Sequence, residues 1–210
     1  MENLNILVER YPALEVCKND VAAATDALVE LYKNGGKLLL CGNGGSCADC
    51  DHIVGELMKG FLKKRPITDE MKSEMNSKYS ELDESVLAKL QCGLPAISLP
   101  AITALGSAFA NDVDPELAYA QAAFALGREG DAMIAISTSG NAKNVCEAAK
   151  VAKAIGMKVI ALTGAKGGRL AEIADITVKS PENETYKIQE LHLPIYHAIC
   201  ADIESYFFKK

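Results

Sequence analysis

The sequence predicts an α/β fold, a doubly wound parallel sheet of about five strands flanked by helices. Three short apolar runs (LLLC from residue 38, AMIAI from residue 132 and KVIAL from residue 158) have the continuous hydrophobic character of strands buried on both faces. Each run ends in a turn rich in glycine, serine or threonine, and stretches with helical spacing separate the runs. This alternation of strand and helix is typical of a parallel sheet with helices on both sides.

Each element is placed by a local signal. Apolar faces at helical spacing predict the helices, apolar runs predict the strands, and Gly, Asn and Pro mark the ends. We predict helices at 4–10, 20–34, 46–61, 104–110, 115–126, 144–155, about 168–174 and 184–208, and strands at 37–41, 96–99, 132–137, 158–162 and 176–178.

Composition indicates one globular domain spanning residues 1–210. The net charge of -6 and a pI near 5.2, without a Lys/Arg stripe, argue against nucleic acid as a partner. No apolar run approaches the roughly 18 residues that would cross a membrane, and residues 1–10 lack the pattern of a secretion signal. Seven scattered cysteines favour reduced thiols and a cytoplasmic location.

Cys47 and Cys50 form a C-x-x-C pattern in the predicted helix 46–61. The first turn of a helix lowers a thiol pKa, so a redox or zinc role is one interpretation. Packing of small buried side chains is the other, and we favour it because no second C-x-x-C accompanies the first.

Residues 63–93 differ from the rest of the chain. This insert is rich in charge, Met and Ser, and apolar residues recur in it at three- and four-residue spacing, which predicts an amphipathic helix. It serves either as a surface helix that covers nearby core or as a lid or oligomer contact.

The turn after the first strand carries the strongest functional signal. Asn43, Gly44 and Gly45 lead from the strand into a helix N-terminus, where free N–H groups and the helix dipole favour an anion such as phosphate. One turn further on, His52 and Glu56 lie about 40° apart around the helix axis. A phosphate anchor beside an acid–base or metal-binding pair suggests an enzyme acting on a small phosphorylated molecule.

A second polar turn follows the strand at 132–137. Ser137, Thr138 and Ser139 offer hydroxyl groups to phosphate, although the same residue types also cap helices. Neither turn has the Lys-Ser/Thr of a Walker A loop, so nucleotide hydrolysis is not expected.

Four separated segments resemble a known family. EGDAMIAISTSGNAKNV followed by GMKVIALTG resembles the sugar isomerase (SIS) domain, whose fold is flavodoxin- or Rossmann-like. CGNGGS…DHIVGEL together with IQELHLPIYH resembles the phosphoheptose isomerases. The resemblance implies an aldose–ketose isomerase that converts sedoheptulose 7-phosphate to D-glycero-D-manno-heptose 7-phosphate through an enediol.

The resemblance also implies roles for individual residues. Glu56 and His197 match the family's catalytic acid–base pair. The matched substrate-binding residues are Asn43, Gly44, Gly45, Glu56, Asn111, Asp112, Ser137, Thr138, Ser139 and Gln189. The matched metal ligands, for one zinc ion per subunit, are His52, Glu56, Gln189 and His197. The expected assembly is a homotetramer with active sites between subunits.

Three departures from the family pattern leave alternatives open. Ala142 stands where the family has a serine hydroxyl, Pro194 lies inside the last predicted helix, and the insert follows the catalytic helix. Proline removes a backbone donor and should kink that helix near His197. The alternatives are an isomerase of another phosphosugar and a non-enzymatic SIS protein that binds a phosphosugar or the replication initiator.

Overall fold

A parallel five-stranded sheet forms the centre of the computed structural model, which describes residues 1–208. The strand order is β2-β1-β3-β4-β5, and every pairing is parallel. The strands are β1 (Leu38–Gly42), β2 (Ala96–Ser98), β3 (Ala132–Ile136), β4 (Lys158–Thr163) and β5 (Ile176–Lys179). The predicted fold class is therefore confirmed.

Helices cover both faces of the sheet. In chain order they are α1 (Glu2–Arg10), α2 (Lys18–Lys33), α3 (Gly45–Met58), α4 (Asp69–Lys78), α5 (Glu84–Leu87), α6 (Thr103–Asp112), α7 (Ala118–Leu126), α8 (Lys143–Ala154), α9 (Gly168–Ile173) and α10 (Thr185–Phe207). Short 3-10 helices occupy Pro12–Cys17, Leu99–Ala101 and Pro115–Leu117. Within residues 1–208, no helix combines the length and apolar character that crossing a membrane requires.

Alternate residues of the strands belong to two separate hydrophobic cores, one on each face of the sheet. Leu38 and Leu40 pack with α1, α2, α3 and α10 on one face, whereas Leu39 and Cys41 pack with α7, α8 and α9 on the other. Because successive side chains of a strand point to opposite faces, one uninterrupted apolar run serves both cores.

The strand order places a crevice at the carboxyl ends of β1 and β3. The chain passes from β1 to β2 on one side and then returns to form β3 on the other side of β1. At such a switch point the connections that follow the two strands diverge, and ligands of open α/β sheets bind there. Both polar turns singled out in the sequence follow these two strands.

Two local predictions need correction. Asn111 and Asp112, which lie beyond the predicted end of the helix at 104–110, form the last turn of α6, because the helix continues to a cap at Val113. The stretch 115–126 is a 3-10 turn followed by α7 rather than one helix, since the Asp114 side chain accepts a hydrogen bond from Glu116 N and sets the tighter turn.

The insert forms two short helices, and the last helix passes through its proline. α4 has no buried residue, whereas Leu87 of α5 is fully buried and fixes the end of the insert to the body. α10 is continuous from Thr185 to Phe207, so Pro194 does not end it.

Candidate active site

The turn after β1 uses glycine to open the N-terminus of α3. Gly44 has a φ of +56° and occupies the N-cap position, where no side chain caps the helix. The side-chain amides of Asn43 and Asn144 exchange two hydrogen bonds of 2.9 and 3.0 Å. Since Asn144 lies at the start of α8, this pair joins the two polar turns across the crevice.

Gly45 allows α10 to approach the same turn. A Cβ atom at Gly45 would lie 2.5 Å from Nε2 of Gln189. The absence of a side chain therefore lets the Gln189 amide lie against the start of α3. The structure thus brings together two predicted site residues that are far apart in the sequence.

The turn after β3 is held by contact with the turn after β4. Gly140 has a φ of +65°, and a Cβ atom there would lie 1.8 Å from the carbonyl oxygen of Gly167. The amide of Leu170 donates to the Gly140 carbonyl at 2.9 Å. Backbone packing between two turns therefore fixes the position of Ser137, Thr138 and Ser139.

The hydroxyl groups of this turn do not serve as a helix cap. The N-cap residue of α8 is Ala142, and it makes no side-chain cap hydrogen bond. Ser137 Oγ lies 3.5 Å from the Ala142 amide, a long contact, and Ser139 Oγ accepts from the Asn141 amide at 3.1 Å. At the α8 N-terminus the Val145 amide donates to Oδ1 of Asn144 at 3.0 Å, so the helix dipole, rather than a full set of free amides, favours an anion at the crevice.

The acid–base candidates converge from two helices. His52 and Glu56 lie on α3 and His197 lies on α10. Nε2 of His52 is 3.3 Å from Oε1 of Glu56 and 3.5 Å from Nε2 of His197. A carboxylate and two imidazoles therefore surround one small volume, with the His52 side chain 42% exposed to solvent.

The second carboxylate oxygen of Glu56 forms an ion pair with a lysine. Lys59 Nζ lies 3.2 Å from Oε2 and also donates to the Gly60 carbonyl. The two oxygens of Glu56 thus face an imidazole on one side and an ammonium on the other.

Two further side chains, Tyr196 and Asp49, support the cluster and were not predicted. The Tyr196 hydroxyl lies 3.0 Å from Nδ1 of His52 and donates to Oδ1 of Asp49 at 3.2 Å. Burial raises the pKa of Asp49, against the opposing effect of the Tyr196 hydrogen bond. The i, i+3 spacing that places Asp49 beside His52 is visible in the sequence. Their contact with Tyr196 on α10 is not.

A buried ion pair holds the C-terminal end of α3. Arg65 Nε donates to Oε1 of Glu204 at 2.8 Å, and both side chains are fully buried. The guanidinium also donates to the carbonyl oxygens of Leu57 and Glu56, at 2.8 and 3.2 Å. Glu204 on α10 is thereby linked through Arg65 to the backbone of the candidate base.

Burial governs the titration of several side chains here. Burial, followed by the neighbouring His52, lowers the pKa of His197 from its usual value of 6.5, against the opposing effect of Glu56. Burial raises the pKa of Cys47 and Cys50, which overturns the expectation of a lowered thiol pKa at the helix start. Cys50 is fully buried, as the packing interpretation requires.

Asn111 and Asp112 form a pair of their own. Nδ2 of Asn111 donates to Oδ1 of Asp112 at 2.8 Å, and both residues are exposed at the end of α6. Their hydrogen bonds run to each other rather than to the histidine cluster.

A cavity of about 340 Å³ opens beside His197. Residues of α1, α10 and the segment after α3 line it, among them Arg10, Tyr11, Phe61 and Leu62. The acid–base cluster therefore borders open space on its α1 side.

The residues predicted to hold zinc fit it in part. Zinc ligands about 2.0–2.1 Å from a tetrahedral ion lie about 3.3 Å from one another, close to the two distances measured around His52 Nε2. Within residues 1–208, no group of three or more His, Cys, Asp or Glu side chains already has the arrangement of a metal site. The fit therefore rests on the donor types and on these two distances.

Comparisons with known proteins identify the family. SIS domain models match residues 8–91 and 103–206. The phosphoheptose isomerase of Laribacter hongkongensis is 36% identical over 96% of this chain and 91% of its own length. That of Aneurinibacillus thermoaerophilus is 38% identical over 86% of this chain and 78% of its own length. The structure of the Neisseria gonorrhoeae phosphoheptose isomerase superposes with a TM-score of 0.75 at 32% identity, covering 93% of this chain and 91% of that one. The chain belongs to the phosphoheptose isomerase family.

Proposed function

We propose that this protein is an aldose–ketose isomerase that converts sedoheptulose 7-phosphate to D-glycero-D-manno-heptose 7-phosphate through an enediol. The observation that carries the proposal is the convergence of Glu56 and His197 on His52, which places a carboxylate and an imidazole in one site. Such a pair suits a reaction that moves protons between neighbouring carbon and oxygen atoms.

The proton transfers balance with two groups. The Glu56 carboxylate removes a proton from C1 of the ketose while His197 delivers a proton to the C2 oxygen, which gives the enediol. His197 then takes the proton of the C1 hydroxyl, and Glu56 returns its proton to C2, which gives the aldose. His197 enters the first step protonated and leaves it neutral, and its lowered pKa favours that release, after which the neutral imidazole accepts the proton of the C1 hydroxyl.

The phosphate group would bind at the crevice between β1 and β3. The helix dipoles at the N-termini of α3 and α8 favour an anion there, and Ser137, Thr138 and Ser139 supply hydroxyl groups. Asn43, Gly44, Gly45 and Gln189 would contact the sugar, and Asn111 and Asp112 would approach it from α6. With the phosphate bound there, C1 and C2, at the opposite end of the sugar, would lie at the acid–base cluster.

Zinc is part of the proposal as a resident ion. His52, Glu56 and His197 would hold it, with Gln189 as the fourth ligand that the family pattern implies. Bound zinc would supply a Lewis acid that polarises the substrate carbonyl.

We also propose a cytoplasmic homotetramer with active sites between subunits. The seven cysteines, all within residues 1–208, are free, as a reducing compartment would keep them. The exposed side of His52 and the cavity beside His197 leave room for residues of a second subunit. Light scattering of the purified protein would give the mass of the assembly directly.

A second candidate substrate is another ketose phosphate. Ala142, at the start of α8, lacks the hydroxyl that the family pattern has there, which removes roughly 1 kcal/mol of binding if nothing replaces it. The same acid–base chemistry would then act on a sugar of different length or stereochemistry.

Proton NMR in D2O tests the reaction. We expect sedoheptulose 7-phosphate to yield the aldose phosphate, with deuterium entering at carbon. The Glu56→Gln variant should lose about 10²- to 10⁴-fold in kcat while keeping its fold, since general acid–base groups contribute that much. Glu147→Gln, which alters a carboxylate paired with Lys150 on the surface, is the control and should be unaffected.

The remaining outcomes separate the alternatives. Binding without conversion would move the substrate to another phosphosugar, to be screened by the same method. Neither conversion nor binding would contradict the proposed function and favour a non-enzymatic SIS protein. Loss of turnover with a chelator, restored by zinc, would support the metal, and unchanged turnover would contradict it.

A further inference from the structure

Side chains of α7 and α8 fix the turn after β1 to the rest of the protein. Gly42 of β1 pairs with Ile136 of β3, so the turns that follow these two strands begin at the same level of the sheet. Across the gap between the turns, the amides of Asn43 and Asn144 exchange hydrogen bonds of 2.9 and 3.0 Å. The Tyr119 hydroxyl donates to the Gly42 carbonyl at 3.0 Å. We call Asn144 and Tyr119, together with these three hydrogen bonds, the clasp.

The clasp sets the orientation of the Asn43 side chain. Both Oδ1 and Nδ2 of Asn43 have Asn144 as their partner, and two such bonds fix the plane of an amide that a single bond would leave free to rotate. Oδ1 of Asn144 also accepts a hydrogen bond from the Val145 amide at 3.0 Å, which holds Asn144 against the start of α8. The position of α8 therefore determines where Asn43 points.

Packing alone does not keep these side chains in place. Tyr119 and Asn144 line a cavity of about 320 Å³ whose other walls are mainly α6 and α7, so each side chain has room to turn away if its hydrogen bonds are lost. Within the turn, Gly44 and Gly45 have no side chains that could pack. Asn43 is exposed to solvent, where a neutral hydrogen bond adds little to the stability of the fold. The main effect of the clasp is therefore on the geometry of the turn.

We propose that Asn144 and Tyr119 are positioning residues that set the turn after β1 for binding the phosphate group of the substrate. Asn144 acts through the side chain of Asn43, and Tyr119 acts through the backbone of Gly42. A displaced turn would change the distance from residues 43–45 to the hydroxyl groups of the turn after β3 on the other side of the crevice. The identity of the substrate rests on the proposed function, whereas the affinity for phosphate can be measured without turnover.

Two variants open the clasp, and each has a matched control. Tyr119→Phe deletes one hydroxyl. Its control is Tyr32→Phe, because the Tyr32 hydroxyl also bonds to a backbone carbonyl, that of Pro95 at 3.4 Å, but just before β2 at the amino end of the sheet. Asn144→Ala removes both amide bonds to the turn. Its control is Glu147→Gln, three residues further along α8, where the carboxylate pairs only with a surface lysine.

Titration with inorganic phosphate, followed by phosphorus-31 NMR, tests the crevice directly. We expect Tyr119→Phe and Asn144→Ala to bind phosphate about 3- to 10-fold more weakly than their controls, which is the effect of losing an ordinary hydrogen bond. Phosphate affinities equal to those of the controls would overturn the proposal. Absence of saturable phosphate binding by the unsubstituted protein would overturn it too, because the turn would then have no anion to bind.

Steady-state kinetics with the sugar phosphate separates positioning from a loss of structure. The phosphate group is remote from C1 and C2, so both variants should raise KM by a similar factor and leave kcat within about 2-fold. A fall in kcat at unchanged KM would assign the loss to a damaged fold and contradict the positioning role. If phosphate affinity changes as expected but no sugar phosphate is turned over, the proposed function fails and the positioning role stands.

Discussion

The turn after β3 and the histidine cluster are held by different kinds of contact. Backbone atoms position the turn: Gly140 packs on the Gly167 carbonyl, and Leu170 N bonds to Gly140. Side chains from two helices position the cluster, with Tyr196 orienting His52 and with Arg65 and Glu204 fixing the end of α3.

This difference sets how each region tolerates change. A backbone-built turn accepts most side-chain replacements but fails when a Cβ atom enters a close contact. A cluster built from side chains keeps its backbone when one member is altered but loses the orientation of the rest. The three predictions below test this contrast, beginning with the largest expected effect.

Gly140→Ala should cause the greatest loss of stability. The new Cβ would lie 1.8 Å from a backbone oxygen, and the residue would keep an unfavourable φ of +65°. Two turns would have to separate, so we expect a loss of about 5 kcal/mol in the free energy of unfolding. Urea denaturation measures it. Gly44→Ala is the control, because its φ is +56° but no atom lies within 4 Å of the new Cβ; with its ψ of -121° it should lose about 1–3 kcal/mol. Equal losses would show that φ alone, and not the turn contact, matters.

Glu204→Gln should lower the free energy of unfolding slightly less than Gly140→Ala does. Burial acts to raise the pKa of Glu204, but hydrogen bonds from the amides of Phe61 and Leu62 and the contact with Arg65 outweigh it and lower the pKa. The amide would leave the Arg65 charge buried without its partner, which destabilises proteins by about 4 kcal/mol. Urea denaturation should be compared between this variant and Glu147→Gln, which removes a surface ion pair that contributes at most about 0.5 kcal/mol. The difference between the two losses gives the contribution of the buried pair. A loss as small as that of Glu147→Gln would mean that the pair does not hold α3.

His192 should make the stability fall in acid. Burial lowers its pKa to about 4, against the hydrogen bond to the Thr163 carbonyl, and Nδ1 has no partner among residues 1–208. Between pH 6.5 and 4 the unfolded chain binds a proton that the folded chain does not, so the free energy of unfolding decreases as the pH falls. The total is about 3 kcal/mol from the difference between the two pKa values.

The matched variant is His192→Gln, which keeps a side-chain N–H donor and does not titrate. Unfolding measured at pH 7 and at pH 4 should show a smaller decrease for this variant than for the unsubstituted protein. An equal decrease in both proteins would assign the acid sensitivity to other groups.

Local pattern was enough to predict the sheet and the two turns. Runs such as Leu38–Gly42 have one physical explanation, burial on both faces, and glycine at positions 44 and 140 has the positive φ that its freedom allows. The candidates His52, Glu56, Ser137, Thr138 and Ser139 followed from their position after these strands. Their roles stay predictions.

Long-range partners could not be predicted in the same way. Tyr196 and Asp49 are 147 residues apart, and Arg65 and Glu204 are 139 apart, so each pair exists only once α10 has packed on α3. Asn144 was passed over for the same reason, since its partner Asn43 is 101 residues away. The pKa of Cys47 is raised, contrary to the expectation for a helix start, because of burial and the nearby Asp51, and a local sequence pattern does not show the burial.

The Glu204 carboxylate also has a consequence for the order of events during synthesis. It accepts hydrogen bonds from the amides of Phe61, Leu62 and Lys63, which the ribosome adds about 140 residues earlier. Until α10 has emerged, these amides and the Arg65 guanidinium have no such acceptor, and the end of α3 lacks its anchor. The strands and glycine turns can assemble as they emerge, but the acid–base cluster is completed only when the last helix of the described chain arrives.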